Sequence, residues 1–286
     1  MIRFGGDLSD STGSSALRLA LPTLAGSRGF PRRDLIDHLF IIRALILRSL
    51  RLKYRDNAFG ISMEFFRITV VVICHYFAFW VRNKRMPADI PIEAFVINSF
   101  AVWYALKDAW SAADGGWRLP HGQALMLGVT PMHMRLAKAG WGFLKALLFC
   151  VAAPVFLNLF GARVHCPDIA LTVLIFAIAA GVGFGFGMIV EALAHLWPVA
   201  DMIAHVLLWL IYMTGGHYTS IVYLPWFTEQ VFWFNPLLQL SEYQRHAAFT
   251  GYPITLVTLI YPAECAVGSL FIGLMLHRWL RRLDYE

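Results

Sequence analysis

The chain has 286 residues, of which 58% are hydrophobic and 15% charged, and its mean hydropathy is +0.60. Soluble domains contain about 45–50% apolar and about 25% charged residues, so the composition excludes a soluble enzyme, a disordered chain and a disulfide scaffold. We therefore interpret the chain as an integral membrane protein. Its net charge of +6 is expected to orient it in the membrane rather than to bind nucleic acid.

The N-terminal region has two parts. Residues 1–30 are rich in Ser and Gly without periodicity, which predicts a disordered cytoplasmic tail before a membrane domain over 31–286. Residues 34–55 combine an apolar stripe with a cationic face at helical spacing, which predicts an amphipathic helix in the membrane surface. The alternative is a short span, which the cations disfavour. The stripe contains Leu35, Leu39, Ile42, Ile46 and Leu50, and the cationic face contains Arg48, Arg51 and Arg55.

Six apolar segments follow, of about 20 residues, the length that crosses a hydrocarbon layer of about 30 Å. The predicted spans are 60–81, 92–112, 140–160, 169–196, 201–223 and 255–279. Six crossings place both termini on one side, and most Lys and Arg residues outside the spans flank that side. The positive-inside rule therefore predicts cytoplasmic termini. A basic cluster on the opposite side is an exception to this rule, and it contains Arg82, Lys84 and Arg85.

The segment between the fifth and sixth spans is too apolar for a simple loop. Val222–Phe234 is rich in aromatic residues but too short to cross a bilayer, and it lies between Gly215-Gly216 and Asn235-Pro236. Apolar segments of this length are typical of re-entrant or interfacial helices. The sequence thus predicts an all-α membrane protein with six transmembrane helices, an N-terminal interfacial helix and a re-entrant helical hairpin between helices five and six.

The common catalytic motifs are absent from the sequence. It contains no P-loop, HExxH, GxSxG or CxxC pattern, so a partner or an ion gradient must supply any energy. Glu191, His195 and His205 form one candidate metal trio. A solvated turn explains Glu191 and His195 equally well, and we expect no metal site.

The charged residues inside the spans can be interpreted in more than one way. Glu64 and Arg67 are three residues apart, which fits either a functional pair in the membrane or an ion pair at its surface. The role of Glu264, near the middle of the last span, is left open. In the fourth span small residues alternate with larger ones, which predicts close helix packing. These small residues are Gly181, Gly183, Gly185 and Gly187.

Three short motifs in order carry a resemblance to a known family. They are Leu52-Lys53-Tyr54-Arg55 with Phe59-Gly60; Leu127-Gly128-Val129-Thr130-Pro131 with Leu136-Ala137-Lys138; and Asn235-Pro236-Leu237 with Glu242 and Arg245. Over about residues 34–282 the pattern resembles ABC-2 type permeases, and more narrowly the transmembrane subunit of capsular polysaccharide and O-antigen exporters. The segment Gly215-Gly216-His217-Tyr218 departs from the family, which commonly has Ser-Pro there, and residues 1–30 match nothing.

The resemblance implies a homodimer in the bacterial inner membrane with two copies of a separate ATPase, which binds ATP and Mg. The chain itself would be no enzyme, would bind no cofactor and would move lipid-linked polysaccharide outward. It also implies that the loop at about 119–138 couples to the ATPase, through Val129 and Pro131, together with the cationic face of helix 34–55. Whether periplasmic and outer-membrane export proteins take part is left open, as are the glycan and its lipid anchor.

A sugar polymer needs a wide path with aromatic faces, because sugar C–H groups pack on rings. Each candidate ring has the alternative of facing lipid in an aromatic belt. The candidates are Phe65, Tyr76, Phe77, Trp80, Trp209, Tyr212, Trp226 and Trp233. The outer cluster Arg82, Lys84 and Arg85 is interpreted as a site that attracts phosphate or an acidic polymer, with a solvated turn as the alternative.

Two other function classes stay open at this point. One is an ABC-2 exporter of a small lipid or drug, which would share the architecture. The other is a membrane enzyme that acts on a lipid headgroup through Glu191, His195 and His205.

Overall fold

A computed structural model describes residues 32–54, 60–81, 90–114, 129–159, 167–249, 251–254 and 256–283. The chain divides into two compact units, residues 1–39 and residues 40–286. In the first unit the structure describes residues 32–39, which form the start of the first helix. The described residues form helices and no strand. These are α1 (Arg32–Tyr54), α2 (Gly60–Val81), α3 (Ile92–Ala113), α4 (Pro131–Leu159), α5 (Ile169–Leu196), α6 (Val199–Met213), α7 (Trp226–Trp233), α8 (Pro236–Ala248) and α9 (Ile260–Leu283).

Four of these helices contain stretches long and apolar enough to cross a membrane. The stretches are Ser62–Val81, Pro131–Leu159, Ile169–Leu196 and Ile260–Leu280. A multi-pass helical membrane protein is therefore confirmed, while the count of six spans stays a prediction. α3 is buried along most of its length, and a helix shielded from lipid by its neighbours need not be uniformly apolar. α6 has 15 residues.

Three predicted span boundaries were wrong. The sixth span was predicted from residue 255, whereas α9 begins at Ile260. The fifth span was predicted to reach residue 223, but α6 ends at Met213 and Thr214 caps it. The next turn contains Gly216 at φ +81°, a conformation that favours glycine and ends a helix. The third span was predicted from residue 140, whereas α4 begins at Pro131, because proline at the first helical position needs no hydrogen-bond partner for nitrogen.

The predicted packing role of the small residues on α5 is confirmed. A Cβ atom added to Gly183 would overlap the carbonyl of Leu106, and one added to Gly187 would lie 2.5 Å from the Trp110 carbonyl, so this face touches α3. On another face, a Cβ added to Gly185 would overlap the side chain of Ser269 on α9. Two neighbouring helices thus approach α5 at backbone distance, as small residues permit.

One face of α2 is buried and the other is exposed. Ile68, Val72 and Phe79 are buried in the main hydrophobic core together with α3 residues. The exposed face consists of large apolar side chains at spacings of three and four, which makes it a continuous stripe. Its members are Met63, Phe66, Val70, Ile73, Phe77 and Trp80.

The segment after α6 contains a 3₁₀ turn at Ile221–Tyr223, then α7 and α8. α7 has no buried residue, whereas eleven of the thirteen α8 residues are buried. The segment predicted as a re-entrant hairpin thus contains two short helices, α7 and α8. The insertion of this segment into a membrane stays a prediction.

Candidate functional site

α8 is a polar helix that is surrounded by protein, and Asn235 sets its start. The Asn235 Oδ1 atom accepts the Leu237 N–H at 2.9 Å as an N-cap, and Pro236 follows at the first helical position. The Asn235 Nδ2 group donates to the Ile211 carbonyl at 2.8 Å and to Thr214 Oγ1 at 2.7 Å. One side chain therefore starts α8 and attaches it to the end of α6.

Arg245 is the central cation of this buried region, and its side chain has no exposed surface. Its Nη1 group donates to Glu242 Oε1 at 2.7 Å, and Nη2 donates to Ser99 Oγ at 2.7 Å and to the Gly216 carbonyl. The guanidinium carbon lies 3.7 Å from the centre of the Phe95 ring. Such a cation is tolerated in the interior only because a carboxylate and several acceptors surround it.

Glu242 in turn holds the backbone that follows Gly216. It accepts the Ile221 N–H at 3.0 Å, the Ser220 hydroxyl at 3.2 Å and the Tyr252 hydroxyl. Burial raises the pKa of Tyr252 to about 12, so its hydroxyl keeps the proton that it donates. The ion pair thus fixes the segment after α6 against α8 and the loop after it.

Gln244 extends the polar region into the helix bundle. Its Nε2 group donates to Asn98 Oδ1 on α3 at 3.2 Å and to Thr172 Oγ1 on α5 at 3.1 Å, and it contacts Cys150 Sγ on α4 at 3.4 Å. Three helices therefore meet at one amide, and buried hydrogen-bond networks of this kind specify a single packing arrangement.

An aromatic cluster adjoins this region between α2, α3 and α6. His75 donates its Nδ1 proton to the Val71 carbonyl at 2.8 Å, so Nε2 accepts from the Tyr212 hydroxyl at 3.1 Å. The Tyr218 hydroxyl lies 3.3 Å from Nε2 and donates to the Tyr212 hydroxyl at 3.4 Å. His217 is fully buried, and its ring centre lies 4.8 Å from that of Tyr212. Burial and then the Arg245 charge lower the pKa of His217 to about 3, so this imidazole is neutral.

A second polar region lies near the start of α4, within the predicted coupling segment. Thr130 Oγ1 accepts the His133 N–H at 3.3 Å, and the Thr130 N–H donates to His133 Nδ1 at 3.1 Å, which is the reciprocal pattern of a capping box. One turn later Arg135 Nη2 lies 2.5 Å from Glu191 Oε1 near the end of α5. Both of these side chains are largely buried, so the start of α4 is attached to the end of α5.

This ion pair involves one member of the candidate metal trio. Glu191 was considered as a metal ligand with His195 and His205, but it binds Arg135, while His205 lies 3.5 Å from Asp201 on its own helix. Within the described residues, no group of three His, Cys, Asp or Glu side chains is placed to hold a metal ion.

Lys145 on α4 joins three helices. Its Nζ atom lies 2.7 Å from Asp108 Oδ2 on α3 and 3.3 Å from Glu64 Oε2 on α2. Arg67 was the partner of Glu64 suggested by their spacing of three residues in the sequence. No sequence signal paired Lys145 with either carboxylate, because these residues are far apart in the chain.

The structure places the predicted path residues in different surroundings, so their role stays a prediction. Tyr212 belongs to the aromatic cluster and Phe65 packs against the core. Phe77 and Trp80 stack at 5.7 Å on the exposed face of α2. Tyr76 and Trp233 are half-buried, whereas Trp209 and Trp226 are exposed.

The other predicted site residues are only partly described. Arg48 is half-buried and Arg51 exposed on α1, while Val129 and Pro131 are half-buried at the start of α4. Glu264 is exposed on α9. The remaining members lie outside the described residues: Arg55, the outer cluster Arg82, Lys84 and Arg85, residues 1–30 and residues 119–128 of the predicted coupling loop.

Comparison with known proteins found distant relatives along most of the chain. A protein from Escherichia coli described as polysialic acid transport protein KpsM is 23% identical over 244 residues, covering 83% of this chain and 92% of that protein. A second Escherichia coli protein with the same description is 24% identical over 243 residues, with the same coverage of both chains. No protein-family model matches the sequence. The chain is thus similar, at low identity, to proteins named for polysialic acid transport.

Proposed function

We propose that this chain is the permease subunit of an ABC transporter that exports a lipid-linked polysaccharide across the bacterial inner membrane. Two copies would form the pathway, and two copies of a separate ATPase would drive it with ATP and Mg. Both chain termini would lie in the cytoplasm.

The observation that carries this proposal is similarity over nearly the whole length of the relatives. The matched region covers 92% of each KpsM protein, so the likeness is not confined to one apolar segment, which composition alone would produce. It also agrees with the motif resemblance over residues 34–282. The absence of a P-loop from the sequence supports a separate ATPase.

The geometry supports a route for coupling. If an ATPase binds at the start of α4, the capped turn at Thr130 and His133 gives it a rigid contact. The pair of Arg135 and Glu191 would carry a displacement of that turn to α5, whose glycine faces contact α3 and α9. Coupling between sites requires such a physically connected element.

The test is to isolate the full chain from its native membrane under mild conditions. We expect an ATPase to copurify at equal stoichiometry, and we expect Arg51→Glu to reduce its recovery because Arg51 is exposed on α1. Arg278→Glu on α9 is a matched control that changes the same charge elsewhere. Isolation of an intact chain without any ATPase would contradict the proposal.

The cargo needs a separate measurement, since other ABC-2 exporters carry small lipids or drugs. Cells that lack this chain are expected to accumulate a glycan attached to lipid on the cytoplasmic side. If the ATPase binds but no glycan accumulates, the transporter assignment survives and the polysaccharide cargo is wrong.

A further inference from the structure

α2 carries a cation in an unusual setting. Arg67 lies about two turns into a membrane-spanning helix, on the exposed side. It borders a groove of about 500 Å³ whose other lining residues are almost all apolar: Met63, Glu64, Phe66, Val70 and Val71. A guanidinium at this depth is costly unless an anion or water reaches it.

The neighbouring charges leave the local balance positive. Lys145 is held by Asp108 and Glu64. Arg67 and Lys107 repel each other electrostatically, and Asp108 also acts on Lys107. Within the part of the chain that the structure describes, neither Arg67 nor Lys107 has a carboxylate within ion-pair distance. This neighbourhood therefore has three cations and two carboxylates. Of the three cations, Arg67 is the exposed one, and it lies at the groove.

We propose that this groove binds an anionic phospholipid of the surrounding bilayer, with its phosphate on Arg67 and an acyl chain along Phe66, Val70 and Val71. Charge complementarity selects the headgroup, because a guanidinium donates two parallel hydrogen bonds to phosphate. The apolar wall runs from Arg67 toward the middle of α2, the direction that acyl chains take from a headgroup. Basic pockets at membrane helices bind lipid headgroups in this way.

The experiment uses the full chain in nanodiscs of equal phosphatidylglycerol and phosphatidylcholine, followed by native mass spectrometry of the lipids that remain after detergent extraction. We expect the unmodified chain to retain more phosphatidylglycerol than phosphatidylcholine. Arg67→Gln should lower this retention by about tenfold, the effect of losing one charge-assisted contact, and Arg67→Lys should lower it less. Arg278→Gln, an exposed arginine on α9, should leave retention unchanged.

A second variant keeps the charge and tests the groove itself. Val70→Trp should fill the apolar wall and reduce phosphatidylglycerol retention with Arg67 in place. Equal retention of both lipids by the unmodified chain would overturn the proposal, and Arg67 would then reach water instead. Undiminished retention by a folded Arg67→Gln or by Val70→Trp would also overturn it, as would an equal loss in Arg278→Gln.

Discussion

The guanidinium of Arg245 donates a hydrogen bond to the backbone carbonyl of Gly216, 29 residues earlier in the chain. A Cβ atom at Gly216 would lie 2.7 Å from Leu238 Cδ1, so the turn after α6 is pressed closely onto α8. The end of one predicted span is therefore held by a short polar helix, and the path of the segment at 214–221 depends on one buried cation.

Replacing Arg245 with Leu should destabilise the protein by about 3–5 kcal/mol, because Glu242 would be left as an uncompensated buried charge. The measurement is thermal or denaturant unfolding in detergent. The double variant Arg245→Leu with Glu242→Leu is expected to be more stable than the single variant, since it removes both charges. A single variant as stable as the original chain would contradict the ion-pair interpretation.

Gly183→Ala should disrupt the contact of α5 with α3, because the new methyl group would overlap the Leu106 carbonyl. Overpacking of this kind costs about 1–3 kcal/mol. Gly268→Ala on α9 is the matched control, since no atom lies within 4 Å of the added Cβ. There the change should be neutral or raise the unfolding temperature, given the higher helix propensity of alanine. Equal effects of the two changes would refute the packing role.

Lys145→Met should lower stability by about 3 kcal/mol, because Asp108 and Glu64 would lose their shared cation in a largely buried site. Lys138→Met removes the same charge from an exposed position of α4 and should change the unfolding temperature little. If Lys138→Met is as damaging as Lys145→Met, net charge rather than the buried cluster determines the effect.

Asp114, just after α3, provides a test by pH. Burial and then the Asp201 charge raise its pKa above 3.8, although His205 and Arg135 oppose the shift. The folded state therefore binds a proton more readily than the unfolded state, and stability falls as pH rises through the folded pKa. Asp114→Asn should raise the unfolding temperature at pH 7, with an advantage that shrinks below pH 3.8. An advantage that stays constant with pH would show that the charge is not responsible.

The helical elements followed from short-range sequence patterns. The predicted limits of the first, second and fourth spans agree with α2, α3 and α5 within one residue, because a bilayer requires a long apolar run and the helix ends show as polar or glycine-rich breaks. Asn235-Pro236 marked the end of the apolar segment in the sequence, and the structure shows that the same residues begin α8. Helix limits of this kind are set by neighbouring residues in the chain, so they can be predicted without the rest of the fold.

The sequence by itself determined that this is a helical membrane protein, and it placed most helices along the chain. The tertiary structure alone decided which partners the buried cations contact: Lys145 contacts Asp108 and Glu64, Arg135 contacts Glu191, and Arg245 contacts the Gly216 carbonyl. Periodicity shows which residues share a helix face but not which helix packs against that face. The same limit explains α8, a polar helix that is buried because neighbouring helices, rather than its own composition, exclude the solvent.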